Sequence, residues 1–93
     1  AGLTRALAVD LGGRVRVNNI SPGAIATPML EAGFEGRAEA RKQLDAVHPL
    51  GRVGTPMEVA QAALFLASSA ASNITGLDLR VDGGVAARLH DPA

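Results

Sequence analysis

Three residues in this 93-residue sequence have the types of a nucleophile, a base and an acid: Ser21, His48 and Asp82. Strung together they would make a hydrolytic triad. No Gly-x-Ser-x-Gly turn surrounds Ser21, so nothing in the sequence raises its hydroxyl into the exposed position that chemistry needs. The two histidines, His48 and His90, have no further ligands at useful spacing and are read as neither metal ligands nor general bases. Thr27-Pro28 has a different character. A threonine followed by proline is an N-cap with a first-turn proline, and a helix N-terminus favours phosphate. Asn73-Ile74-Thr75 fits the glycosylation pattern and is read as a chance match.

The residues that are absent narrow the chemistry further. The sequence has no cysteine, which excludes disulfides, thiol catalysis and thiolate metal sites. It has no tyrosine, and Lys42 is its only lysine. A mechanism that needs a tyrosine acid cannot be run by these residues alone. Nine basic and nine acidic residues cancel, so no electrostatic footprint for nucleic acid or an anionic membrane is present. The hydrophobic fraction of 47% suffices for a core. The longest apolar run, Ala62 to Ala67, falls far short of the roughly 18 residues of a membrane helix. Arg5 and Asp10 interrupt any signal-peptide core, and a reducing, cytoplasmic setting is expected. The sequence starts at Ala1, without methionine, in what reads as the middle of a helix.

The elements that must position these groups follow from periodicity. Leu3, Leu7 and Leu11 make an apolar stripe over Gly2 to Leu11, and Gly12-Gly13 stops that helix. Val15 and Val17 alternate with polar neighbours, which predicts a strand over Arg14 to Ile20. Ser21-Pro22-Gly23 ends it, since proline cannot donate to a ladder. Glu35 to Val47 is predicted helical, with Leu44 and Val47 as its apolar side. Thr55-Pro56-Met57-Glu58 is a capping box opening a helix to about Ala67 that is apolar nearly all round. A polar connection over Ser68 to Asn73 leads to a last strand within Ile74 to Asp82, where Leu77, Leu79 and Val81 alternate with Asp78 and Arg80. Gly83-Gly84 turns the chain, and 85–93 is predicted to be a C-terminal tail. Helices alternating with strands imply an α/β layer with a parallel sheet. Two strands do not make a stable sheet of that class, so 1–93 reads as a single partial domain that is incomplete on its own.

Four stretches together resemble the short-chain dehydrogenase/reductase family, in its classical branch. They are Arg16-Val17-Asn18-Asn19-Ile20-Ser21-Pro22-Gly23 running on to Met29; His48-Pro49-Leu50-Gly51-Arg52-Val53-Gly54-Thr55-Pro56 followed by Glu58-Val59-Ala60; Ile74-Thr75-Gly76; and Val81-Asp82-Gly83-Gly84. Leu3-Thr4-Arg5-Ala6-Leu7-Ala8 resembles the later part of the family helix that carries a catalytic lysine near its start. The matches keep the family's order and spacing up to Gly84. The resemblance implies the C-terminal part of a Rossmann-like, doubly wound parallel sheet, in which ligands sit beyond the carboxyl ends of the strands.

The resemblance also implies roles. Pro22 and Gly23 would begin a loop bordering the nicotinamide of NAD or NADP. Ile25 would offer backbone groups to its carboxamide, and Thr27 a hydroxyl near the carboxamide and pyrophosphate. Strand termination by Pro22-Gly23 and helix capping by Thr27 account for the same residues without a cofactor, and capping is compatible with cofactor contact. Met29, Leu30 and Phe34 match the substrate loop, where ordinary packing of short helices is the alternative. The family's glycine-rich turn, catalytic serine and Tyr-x-x-x-Lys pair have no counterpart here, so no catalytic and no metal residue is assigned. The discriminating residues for NAD against NADP also lack counterparts. The resemblance thus implies part of an NAD(P)-dependent oxidoreductase acting on a small carbonyl or alcohol, commonly a homodimer or homotetramer, with no nucleic-acid or membrane partner. The alternative is a catalytically inactive association module derived from the same family.

Overall fold

The computed structural model describes residues 2–89. His90 and the remainder of the expected tail lie outside the described residues. Helix α1 (Gly2–Leu11) leads to strand β1 (Asn19–Pro22), then to α2 (Pro28–Gly33), α3 (Ala38–Ala46) and α4 (Pro56–Ala67). A short 3-10 turn (Ser69–Ala71) precedes strand β2 (Asp78–Val81) and helix α5 (Val85–Leu89). The strands pair in parallel, with Asn19 opposite Asp78 and Pro22 opposite Val81, and α4 packs against both.

Both strands are shorter than their alternating patterns predict. Upstream of Asn19 the two segments stay side by side, but side chains join them. The Val17 N–H donates to Thr75 Oγ1 at 3.0 Å, and the Asn18 amide donates to the Ile74 carbonyl while accepting from the Leu77 N–H, each at 3.0 Å. Gly76, at φ +75°, bends the second segment where its N–H meets the Val17 carbonyl at 2.7 Å. At the other end, Ser21 and Pro22 are the last residues of β1 rather than its terminators. The N–H groups of Asn19 and Gly23 donate to Leu77 and Val81, so the odd positions face β2. The missing N–H of Pro22 falls on the opposite edge, where no ladder bond is lost.

Helix α4 is fixed at both ends. Thr55 Oγ1 accepts from the Glu58 N–H at 3.2 Å, and the Glu58 carboxylate accepts from the Thr55 N–H at 2.9 Å, completing the capping box. The Arg52 guanidinium binds both Glu58 oxygens at 2.9 and 2.7 Å. That fork, seconded by the Thr55 amide, pulls the Glu58 carboxyl down to about 2. At the C-terminal end, Arg16 Nη1 reaches the Leu66 carbonyl at 2.8 Å and Nη2 the Ser68 carbonyl at 3.4 Å. Leu66 is buried beneath the helix, whereas Leu64 on another face is 71% exposed.

The remaining helices differ from expectation in extent. Helix α3 starts at Ala38, because Gly36 adopts φ +73° and the chain turns through Phe34–Arg37 first. The segment expected as a tail opens with helix α5. Its start is held by Asp82, whose carboxylate accepts from the N–H groups of Gly84 at 2.9 Å and Ala86 at 3.3 Å.

Among the described residues the apolar core is small: Ala8, Val53, Leu66 and Ala71 are buried, and no large side chain is fully enclosed. The leucine stripe of α1 is formed, yet Leu3 is 73% exposed. A two-stranded parallel sheet with uncovered apolar faces is an incomplete Rossmann-type layer. No helix among the described residues is long and apolar enough to cross a membrane.

Candidate functional site

The loop leaving β1 is held against two other segments. The Gly23 N–H donates to the Val81 carbonyl at 3.1 Å. A Cβ at Gly23 would lie 2.8 Å from Asp82 Cβ and 3.0 Å from Asp82 Cα, so only glycine allows this approach. Two residues on, at Ile25, the chain runs beside Gly54. The Gly54 N–H donates to the Ala24 carbonyl at 2.9 Å and the Ala26 N–H to the Gly54 carbonyl at 2.8 Å, forming a parallel bridge between Ile25 and Gly54.

This bridge fixes what Ile25 presents. Its neighbours spend their groups on Gly54, so the N–H of Ile25 faces the other way and meets no partner among the described residues. The Ile25 carbonyl accepts from the Thr27 N–H at 2.8 Å and keeps a second lone pair. Thr27 caps α2 from an extended backbone (φ −96°, ψ 161°), with Oγ1 accepting from the Leu30 N–H at 3.2 Å. Acceptance leaves the hydroxyl proton free to donate. A donor N–H, an open carbonyl lone pair and a hydroxyl therefore stand within three residues at the carboxyl end of β1. That set fits a primary amide beside a phosphate.

The segment after Thr27 forms two short helices tied by one arginine. Arg41 of α3 donates to Glu31 of α2 at 2.6 Å and to Asp45 at 2.8 Å. Asp45 also accepts from the Val53 N–H at 3.0 Å. The Arg41 guanidinium, then the Val53 amide, hold the Asp45 carboxyl below the ordinary carboxylate range. The base of the helix pair is thus fastened beside Gly54 and therefore beside Ile25. Of the expected substrate-loop residues, Met29 is 86% exposed, while Leu30 and Phe34 are half-buried. The Arg37 guanidinium sits 5.6 Å from the Phe34 ring centroid.

Ser21, His48 and Asp82 do not meet as a triad. The Ser21 hydroxyl donates to Asp78 at 2.7 Å and accepts from the Asn19 amide at 3.2 Å. Ser21, then Asn19, lower the Asp78 carboxyl. Both Asp82 oxygens are taken by backbone N–H groups. His48 is 4% exposed, with Nδ1 2.7 Å from the Leu44 carbonyl. No group of three metal-ligating side chains occurs among the described residues. The residues that sequence reasoning did not single out are Gly54 and Asp45. Gly54 lay in plain view within a quoted motif, but its pairing with Ile25 joins segments 29 positions apart and has no local signature.

Comparison with known proteins bears on the family and the fold. A family model described as Enoyl-(Acyl carrier protein) reductase matches residues 1–86. The 2,5-dichloro-2,5-cyclohexadiene-1,4-diol dehydrogenase of Sphingobium indicum is 47% identical over 87 residues, covering 92% of this chain and 35% of the relative. Galactitol 2-dehydrogenase (L-tagatose-forming) of Cereibacter sphaeroides is 53% identical over 83 residues, covering 88% of this chain and 32% of the relative. An oxidoreductase of the short-chain dehydrogenase/reductase family from Burkholderia thailandensis superposes with a TM-score of 0.83 at 42% identity, covering 92% of this chain and 34% of that one. The chain spans about a third of the length of the curated relatives it matches.

Proposed function

The chain belongs to the short-chain dehydrogenase/reductase family, and we propose that it serves as the nicotinamide-side and substrate-side part of an NAD(P)-dependent oxidoreductase that interconverts a carbonyl and an alcohol. The observation that carries this reading is the Ile25–Gly54 bridge, which leaves the Ile25 N–H without a partner among the described residues, two positions before the Thr27 hydroxyl. In this reading the N–H and carbonyl of Ile25 hold the carboxamide, and Thr27 donates to the carboxamide or the adjoining phosphate. Pro22 and Gly23 bring the chain to that place, Pro22 as the last residue of β1 and Gly23 by its close approach to Asp82. The nicotinamide, when bound, supplies or accepts the hydride. Holding the carboxamide fixes which ring face is presented to the substrate. Met29, Leu30 and Phe34 line the substrate side, and the Arg41 ties to Glu31 and Asp45 keep that side folded. Galactitol, from the name of the 53% identical relative, is the first alcohol to assay.

Thr27→Val in the full-length enzyme tests the assignment. A hydrogen bond to a charged group is worth about 1.5–3 kcal/mol, so the Kd for the cofactor should rise at least tenfold. Valine also removes the N-cap, which costs about 0.5–2 kcal/mol of stability, and Thr27→Ser should restore both. A lowered Tm with an unaltered cofactor Kd would leave Thr27 a helix cap and nothing more.

We further propose that the full-length enzyme is a homo-oligomer, a homotetramer or else a homodimer. Helix α4 lays Leu66 on the sheet while Leu64, Met57 and Phe65 remain exposed, and such an apolar face next to a strand edge suits a two-fold contact. Sedimentation at micromolar concentration should give a multiple of the subunit mass. An active species at the monomer mass would overturn the proposal.

A further inference from the structure

We propose that the segment Asp82–Arg88 is a latch that positions the substrate loop, with Arg88 as its positioning residue. This rests on the reading of positions 29–48 as the substrate side. Five contacts join this segment to the return limb of that loop and the residues that follow it. Arg88 Nη1 donates to the Ala46 and Val47 carbonyls, each at 3.2 Å. These are among the last carbonyls of α3, which have no acceptor role left within the helix, and a cation there also opposes the negative end of the helix dipole. The Leu50 N–H donates to the Gly83 carbonyl at 3.1 Å. His48 lies under Gly83, where a Cβ would meet its Cδ2 at 3.5 Å, and the Pro49 ring lies against Gly84, where a Cβ would come within 3.1 Å.

The other side of the latch is anchored to the sheet. Asp82 directly follows β2, and its carboxylate holds the N–H groups of Gly84 and Ala86. Gly83 and Gly84 adopt φ +63° and +88°, a double left-handed turn that sends α5 back toward α3. Val85 and Arg88 line an open cavity with Gln43, Ala46 and Val47. The space between α5 and α3 is therefore bridged by the arginine rather than filled by packed side chains, so Arg88 shares with the Asp45–Val53 bond the work of holding the C-terminal end of α3. Arg41 ties α3 to α2 at the near end, and Arg88 ties it to the end of the sheet at the far end. A substrate pressing on Leu30 and Phe34 would find a wall held at both ends.

The test uses the full-length enzyme with Arg88→Met, which keeps the length of the side chain and removes its donors, and with Arg88→Lys, which returns a cation able to reach helix carbonyls. Amide exchange over Ala38–Ala46 should quicken about tenfold in Arg88→Met while exchange in the two strands holds. The KM for galactitol should rise about tenfold, with kcat and the cofactor KM within twofold, and Arg88→Lys should recover most of both changes. Unaltered exchange in α3 overturns the latch whatever the activity. Faster exchange with an unaltered KM overturns its role in substrate positioning. Phe34→Ala separates the two ideas. If it raises KM and Arg88→Met does not, the latch alone fails; if neither does, the substrate-side reading fails with it.

Discussion

Gly23→Ala in the full-length enzyme is expected to lower stability by about 1–3 kcal/mol, the overpacking outweighing the roughly 0.4–1 kcal/mol that the smaller unfolded-state entropy of alanine returns. The backbone of Gly23 lies outside the left-handed region, so the cost comes from contact alone. An added methyl would lie 2.8 Å from Asp82 Cβ and 3.0 Å from Asp82 Cα, which are not the loose end of a flexible side chain. Asp82 cannot withdraw cheaply. Its carboxylate is bound to two N–H groups, and the following glycines rest on His48 and Pro49. Moving the β1 side instead stretches the Gly23 N–H bond to Val81 and then the Ile25–Gly54 bridge. Two controls bracket the effect. Gly54→Ala meets the Cδ1 of Ile25 at 2.9 Å, a terminal methyl that can rotate away, so its loss should be smaller. Gly33→Ala meets nothing within 4 Å and should be neutral or slightly stabilising. Urea unfolding of the three variants gives the comparison directly, provided the m-values agree. A Gly23→Ala enzyme as stable as Gly33→Ala would show that the β1–Asp82 approach is looser than described.

The features that were legible in the sequence are those written within about four residues. The leucines at 3, 7 and 11 with Gly12-Gly13 behind them mark α1 to its ends. Thr55 and Glu58 announce the capping box, and Thr27-Pro28 the start of α2, because an N-cap is a bond between near neighbours. Strand extent was not legible in the same way. The alternation over Arg14 to Ile20 describes which side chains face in, whereas a ladder ends where its partner turns, and the partner turns at Gly76, some sixty positions away. The same holds for Asn19, Ser21 and Asp78, which look like three unremarkable polar residues until the register places them together. Helix α5 was missed because its start is fixed by Asp82 from outside the helix, and Val85–Leu89 is too short to show a period. The family resemblance, rather than any local pattern, singles out Pro22, Gly23, Ile25 and Thr27 as the candidate site. Its mechanics, the Gly54 bridge and the Asp45–Val53 fastening, required the fold.

The 93-residue chain alone is expected to show no carbonyl reduction above background with NADH or NADPH, and to self-associate. The chain contains no tyrosine, and a general acid in the right place contributes about 10²–10⁴ in rate. Its single lysine, Lys42, stands exposed on α3 in the expected substrate loop and has no tyrosine to act on. What the chain offers a dinucleotide is the carboxamide and the neighbouring phosphate, through Ile25 and Thr27. That is a few hydrogen bonds at one end of a large, flexible ligand whose ordering opposes binding. Self-association follows from the same incompleteness. The leucine face of α1 and the Leu64 face of α4 are open, no large side chain is fully buried, and each strand has a free edge among the described residues. Apolar faces and unpaired edges of that kind attract copies of themselves. Light scattering should therefore show particles larger than one chain, and denaturant unfolding should lack a single cooperative transition. A steady-state assay with galactitol and with small ketones, run beside the full-length enzyme, completes the comparison. A monodisperse chain with cooperative unfolding and measurable turnover would mean that the acid is supplied by a residue given no such role above.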